Sequence, residues 1–263
     1  MIIDEIKEKF REFGVSSGDT LLVSSDVRAL LPLLWHESKK IGEAKKSRED
    51  YMREIITAIQ ELVGTEGTLL FPTYSWGFCH GELWSYEDTK GKTGALSNFA
   101  LTQPDFVRTK HPIYSFAVWG KQAKFYAELE NKDSFSRKSP FYYLHKSNAK
   151  NISIGAENFF TFVHYVEQER KVHYRYHKDF TALYKIGNTA EERTYSMFVR
   201  QLSPEVVSRD KNIMDFLQQN GAKKEYRLEN IPLIYIDLPK AYAVISDDLI
   251  HNEAKNIVTY LDN

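Results

Sequence analysis

The chain has 263 residues, 42% of them hydrophobic and 27% charged, the make-up of a globular protein able to bury its own core. With 36 acidic residues against 35 Lys and Arg the formal net charge is −1, so no global field recruits nucleic acid or a membrane surface. A single cysteine rules out an internal disulfide, the apolar run from Ala29 to Trp35 is too short to span a bilayer, and the amino terminus lacks a signal peptide's apolar core; a cytoplasmic protein is expected.

Ile2, Ile3, Ile6, Phe10 and Phe13 recur at helical spacing, and Gly14 closes that helix. Asp19-Thr20-Leu21-Leu22-Val23 reads as a buried strand running into Ser24, Ser25 and Asp26, a good place to present backbone N–H groups to a ligand. Residues 36–50 are mostly polar and read as an exposed helix or a mobile segment. Residues 50–63 are amphipathic; Gly64 and Gly67 then turn into a second buried strand, Thr68-Leu69-Leu70-Phe71, closed by Pro72. This strand–helix–strand order predicts a βαβ unit.

Residues 74–92 form a long loop rich in aromatics: Tyr74, Trp76, Phe78, Trp84 and Tyr86. Thr93 is placed to cap a short helix reaching about Leu101. Further strands are expected at 115–119, 151–154, 193–199 and 232–238, and helices at 159–170, 209–219 and 239–262, the last of them broken. No linker or repeat interrupts the chain. The expectation is one α/β domain over residues 1–263, with a central mixed, largely parallel sheet flanked by helices.

Several chemistries are excluded by missing motifs. The chain has no phosphate-binding P-loop, no dinucleotide-binding glycine fingerprint, no nucleophile elbow and no paired-cysteine zinc site. It also lacks the coenzyme-A loop of the common small N-acetyltransferases and the hexapeptide repeats of β-helix acyltransferases.

The densest cluster of reactive residues runs from Thr161 through His164 to Glu167 and on to His173, Arg175 and His177. On a helix, His164 and Glu167 stand three apart and share a face, where a carboxylate can fix the imidazole's tautomer. That arrangement suits a general base, although a plain surface His–Glu pair has the same spacing. His164, His173 and His177 could bind a metal, but Tyr174 and Tyr176 alternate with the last two as in an extended segment, so no metal is expected. Cys79 beside His80 reads as a packed loop cysteine rather than a nucleophile. Trp76, Trp84 and Tyr86 are candidates for stacking on a sugar face or a nucleobase, against the plainer reading of a loop packed on its own core; the expected substrate contacts are Tyr74, Trp76, Trp84 and Arg175.

Motifs along nearly the whole chain resemble the aminoglycoside 3-N-acetyltransferase family, most closely its members that look like surface-polysaccharide amino-sugar acyltransferases. The resemblance is carried by residues 14–25, by 64–73, by Thr93-Gly94-Ala95-Leu96-Ser97, by His111-Pro112 with Ser115, by Ser139-Pro140-Phe141 and by the His164 segment, in that order. It implies an acyl-coenzyme-A-dependent N-acyltransferase using acetyl-CoA or another acyl-CoA and no metal. His164 would be the general base, assisted by Glu167. The donor contacts it implies are Ser24, Ser25, Thr73, Thr93, Gly94, Ser97, Ser139 and Phe141. Arg108, Lys110, Arg137 and Lys138 lie beside the matching turns as candidate phosphate contacts, and the Ser24–Ser25 turn is the candidate oxyanion donor. The chain departs from the family in having Ser24-Ser25-Asp26 where His-Ser-Ser is common, and Tyr114 where antibiotic-modifying members usually carry a histidine.

The balanced charge favours a nucleotide-linked deoxyamino sugar of lipopolysaccharide or capsule biosynthesis over a polycationic aminoglycoside antibiotic. The aminoglycoside is the alternative acceptor. A histidine-based metal-dependent hydrolase and a non-catalytic sugar-binding module are more distant readings. The expected partner is a small-molecule acceptor, with a homodimer left open.

Overall fold

The computed structural model describes residues 1–44, 46–201, 206–208 and 210–260. Helix α1 (Ile2–Phe13) buries Ile6 and Phe10 and ends at Gly14, whose left-handed backbone no other residue type adopts so readily. Strand β1 (Thr20–Ser25) leads to α2 (Leu30–Lys40), which the apolar run from Ala29 begins. Helix α3 (Arg48–Val63) starts from a reciprocal cap: Ser47 Oγ accepts from Asp50 N–H while the Asp50 carboxylate accepts from Ser47 N–H. Strand β2 (Thr68–Pro72) follows.

The aromatic loop contains a short 3₁₀ turn (Gly77–His80) and the two-residue strand β3 (Trp84–Ser85). Helix α4 (Ala95–Ala100), strands β4 (Val107–Arg108) and β5 (Phe116–Gly120), and helices α5 (Ala123–Glu128) and α6 (Pro140–Lys146) lead into β6 (Lys150–Ile154) and α7 (Phe162–Glu169). A long hairpin, β7 (Arg175–Ile186) and β8 (Thr189–Arg200), comes next. The chain finishes with β9 (Val206–Ser208), α8 (Asp210–Gln219), β10 (Lys223–Leu228), β11 (Ile231–Asp237), α9 (Leu238–His251) and β12 (Val258–Tyr260).

Seven strands form the main sheet in the order β10-β11-β6-β1-β2-β5-β4. β1 pairs in parallel with β2 and β6, while β11 and β5 run against their neighbours. The sheet is thus mixed, with β10, β6, β1, β2 and β4 sharing one direction. Alternation along the central strands separates two cores. Leu21, Val23, Leu69 and Phe71 face α1–α4, whereas Leu22 and Leu70 face the layer of α5–α9. From β1 the chain moves to β2 on one side and later to β6 on the other. Clefts form outside the carboxyl ends of strands at such a switch point.

Three expectations need correction. Thr93 does not cap α4: the N-cap is Gly94, and Thr93 Oγ1 instead donates to Pro72 O and accepts from Tyr74 N–H. The final helix does not reach 262. It stops at His251 because the buried Asp248 carboxylate gathers Asn252 and Asn256 around itself, and β12 then pairs with β9. Residues 36–50 are not one element but the end of α2, a turn, and the start of α3. The strand expected at 193–199 is present within β8, paired in a hairpin with a strand the sequence does not reveal, since most of β7 faces solvent and leaves no apolar alternation. Gly187-Asn188 is its two-residue turn, the one local signal that marks it.

Candidate active site

Helix α7 buries Phe162, Val163, Tyr165 and Val166 and leaves His164 at its margin, with a quarter of that side chain exposed. One turn later the fully buried Glu167 lies beneath the ring, Oε2 at 2.7 Å from His164 Nδ1. The chain then reverses through Lys171, whose φ is 52°, so that the start of β7 returns to the same carboxylate. Tyr174 donates its hydroxyl proton to Glu167 Oε1 at 3.0 Å, and Arg175 Nε stands 2.8 Å from Oε2.

Burial works against a charge on Glu167, but the Arg175 cation and the bonds from His164 and Arg175 prevail and hold its pKa below the ordinary value. Burial first, and Glu167 second, raise the Tyr174 hydroxyl far above its usual range, so it remains a donor. Arg175 Nη2 also comes within 2.9 Å of His164 Nδ1. A ring nitrogen cannot donate to one neighbour and accept from the other. The shorter contact, to an ionised carboxylate, assigns the proton to Nδ1 and the basic lone pair to Nε2.

His164 lines a cavity of about 330 Å³ together with Trp76, Tyr114, Phe135, Arg175 and Phe180. This is the lower end of the usual range for small-molecule sites. Phe135 meets the His164 ring edge-on at 5.8 Å. Tyr114 is buried, which pushes its hydroxyl up to about 12 and keeps it a hydrogen-bond donor at neutral pH. Of the larger hollows, one of about 420 Å³ between α1, α2 and α3 lies away from this cluster, whereas one of about 880 Å³ adjoins it through Arg175, Tyr176 and Phe198. Among the described residues no group of three His, Cys, Asp or Glu converges as a metal site: His173 stacks on Tyr260, and His177 pairs with Asp133 at 3.0 Å.

The expected donor contacts gather at the carboxyl ends of β1 and β2. Gly94, with φ 125°, packs so closely that a Cβ there would stand 3.1 Å from Ser25 O, which brings the 93–97 turn against β1. The hydroxyl oxygens of Ser25 and Ser97 are buried with no hydrogen-bond partner. Two such groups flanking one tight turn could hydrogen-bond the amides of a pantetheine arm. Thr73 and Ser24 are buried, and Thr73 Oγ1 pairs with Ser115 Oγ at 2.9 Å.

Other expected contacts are committed elsewhere. Arg108 is a correction: its guanidinium donates to Ser115 Oγ and Tyr86 O and lies over Trp84 at 4.6 Å, inside the protein rather than facing a phosphate. Burial lowers its pKa to about 10. Ser139 caps α6, and Phe141 lies in the aromatic core. Lys110 pairs with Glu130 and Arg137 with Glu169. The Asp26 N–H, at the turn expected to hold an oxyanion, already donates to Ile154 O at 2.8 Å.

Tyr74 and Trp84 are each only 1% exposed and cannot stack on a sugar; of the expected aromatic contacts, Tyr86 included, Trp76 alone, 38% exposed, lines the cavity. Arg175 lines the cavity but is tied to Glu167 and to Phe198 O. Sequence reasoning missed Phe135, Tyr174, Lys178 and Arg200, and gave Tyr114 no role. The Gly187-Asn188 turn, read as a hairpin, would have placed Arg200 opposite Arg175.

On this α/β fold, a carboxylate-held imidazole at a cavity wall could activate a nucleophile. The family model for aminoglycoside 3-N-acetyltransferases matches residues 36–249, and the chain belongs to that family: it is an acetyl-CoA-dependent N-acetyltransferase. A search of curated proteins returns no significant match. Among solved structures, AAC-IIIb in binary complex with CoASH is 18% identical with a TM-score of 0.74, covering 94% of this chain and 95% of that one. AAC-VIa bound to sisomicin is 18% identical with a TM-score of 0.74, over 95% and 97% of the two chains. The YokD protein from Bacillus subtilis is 19% identical with a TM-score of 0.71, over 95% and 99%.

Proposed function

We propose that the chain transfers the acetyl group of acetyl-CoA directly to an amine of an amino-sugar acceptor, with His164 as general base. The observation that carries this reading is the 2.7 Å contact from His164 Nδ1 to the buried Glu167, at the wall of a cavity. The amine's lone pair attacks the thioester carbonyl while His164 Nε2 takes its proton. The C–N bond forms, the C–S bond breaks, and the thiolate leaves with the proton that the imidazolium returns. Glu167 holds the ring and balances its transient charge, and the Tyr114 hydroxyl is the donor suited to the developing oxyanion. Ser25, Ser97 and the turn at Gly94 would hold the pantetheine arm. A reducing cytoplasm supplies the donor.

Sisomicin on one fold relative supports an acceptor of the aminoglycoside type. No surface-polysaccharide acyltransferase stands among the matches described above, so the nucleotide-sugar expectation rests on charge alone. Thiol release from acetyl-CoA in the presence of sisomicin and of simple amino sugars tests the activity. The His164→Ala variant is expected to lose about 10²–10⁴-fold in kcat and still bind acetyl-CoA by calorimetry. Near-normal turnover in that variant would sink the assignment.

A further inference from the structure

The charge of the acceptor cavity points away from a polycation. β7 and β8 pair so that Arg175 stands directly opposite Arg200. Like charges facing each other across a hairpin disfavour it unless something offsets them. Glu167 answers Arg175, but no ion pair among the described residues answers Arg200 or Lys178, which line the same cavity. Among the described residues the wall therefore presents three cations, Arg175, Lys178 and Arg200, and no carboxylate. An adjoining groove of about 880 Å³ shares Arg175, Tyr176 and Phe198 and adds Arg137, Lys171 and His173. Its one carboxylate among the described residues, Glu169, is already paired with Arg137 at 3.2 Å. A sugar bearing several ammonium groups would be repelled here by Arg200 and Lys178 with no unpaired carboxylate among the lining residues to receive it.

Resting on the acyl-transfer reading above, we infer that the acceptor is an amino sugar carrying a phosphoryl group. Arg200 and Lys178 hold the phosphoryl oxygens, Trp76 and Phe198 meet the apolar face of the sugar, and the amine lies at His164. An Arg fork with a Lys point charge is the usual pairing for phosphate. The donor's own phosphates are the competing polyanion. The donor turn at Gly94 leads into α4, in the α1–α4 layer, whereas α7 and the hairpin belong to the other layer.

The test is steady-state thiol release with acetyl-CoA and five acceptors: glucosamine, glucosamine 1-phosphate, a uridine-diphosphate-linked amino sugar, glucosaminic acid and sisomicin. The phosphorylated acceptors are expected to exceed glucosamine by about tenfold or more in kcat/KM, the worth of one charge-assisted contact. Which of the two is better separates a free sugar phosphate from a nucleotide-linked sugar. Arg200→Gln and the more exposed Lys178→Gln should each erode that preference about tenfold, through KM for the acceptor. The inference is overturned if sisomicin or glucosaminic acid is the preferred acceptor, or if the variants raise KM for acetyl-CoA instead. It is equally overturned if calorimetry with CoA present shows no binding of either phosphorylated sugar and neither is turned over. Absence of acetyl-CoA binding and of thiol release with all five acceptors is the separate failure of the acyl-transfer reading itself.

Discussion

Two polar regions of the molecule solve burial in opposite ways. At the ends of β1 and β2, Thr73, Ser115, Arg108 and His111 give their hydrogen bonds to one another and to backbone. That region is scaffolding, with Ser25 and Ser97 among its buried hydroxyls left without partners. Around α7 and β7 the protein buries charge instead: Glu167 takes a proton donor or cation on each oxygen, and its imidazole partner stays at a cavity wall. Buried neutral networks fix shape, while a buried, fully partnered carboxylate stores an orientation that chemistry can use.

The sharpest way to break this contrast is to remove the charge from Glu167. Glu167→Gln leaves the Arg175 cation, with its side chain 8% exposed, without a counter-charge. A loss of about 3–5 kcal/mol in urea denaturation is expected, with kcat lower by about 10²-fold. A variant as stable and as active as the parent would show that the carboxylate neither holds the fold nor orients the ring.

Acid should dismantle the two regions in sequence. His111 is buried and neutral, its Nδ1 accepting from the N–H groups of Ile113 and Tyr114, and burial lowers its pKa from 6.5 to about 3. Below 6.5 the unfolded chain takes up a proton that the folded one refuses. Stability present at neutral pH is therefore lost as the pH falls from 6.5 towards 3, at up to about 1.4 kcal/mol per pH unit. Glu167, with its pKa held below 4.5, adds a loss of the same sign that begins near 4.5 and continues as pH drops through that lower value. Urea unfolding at a series of pH values should show the first decline beginning near 6.5, and His111→Asn should flatten that decline alone.

The smallest expected effect separates scaffold from ligand cradle. Ser97→Ala removes a buried hydroxyl without a partner, so stability should stay level or rise by about 1 kcal/mol, while KM for acetyl-CoA increases several-fold. Destabilisation with an unchanged KM would assign Ser97 to the scaffold.

The chain's own periodicities largely specified the layered sheet. Leu21, Val23, Leu69 and Phe71 alternate because a strand buried on both faces must divide its apolar residues between two cores. The His164–Glu167 contact was equally legible, since a three-residue spacing on a helix is local geometry. The rest of the site was not, because it depends on what pairs with what across long stretches of chain. Tyr74 and Trp84 look like a stacking platform in sequence, yet the aromatic core claims both. Arg108 reads as a phosphate contact until Trp84, Tyr86 and Ser115 close around it. Arg200 acquires meaning only from the register that sets it across from Arg175. Local spacing decided that His164 and Glu167 could pair. Tertiary packing, which brings together side chains distant in sequence and removes water from some of them, decided which charges still face a ligand.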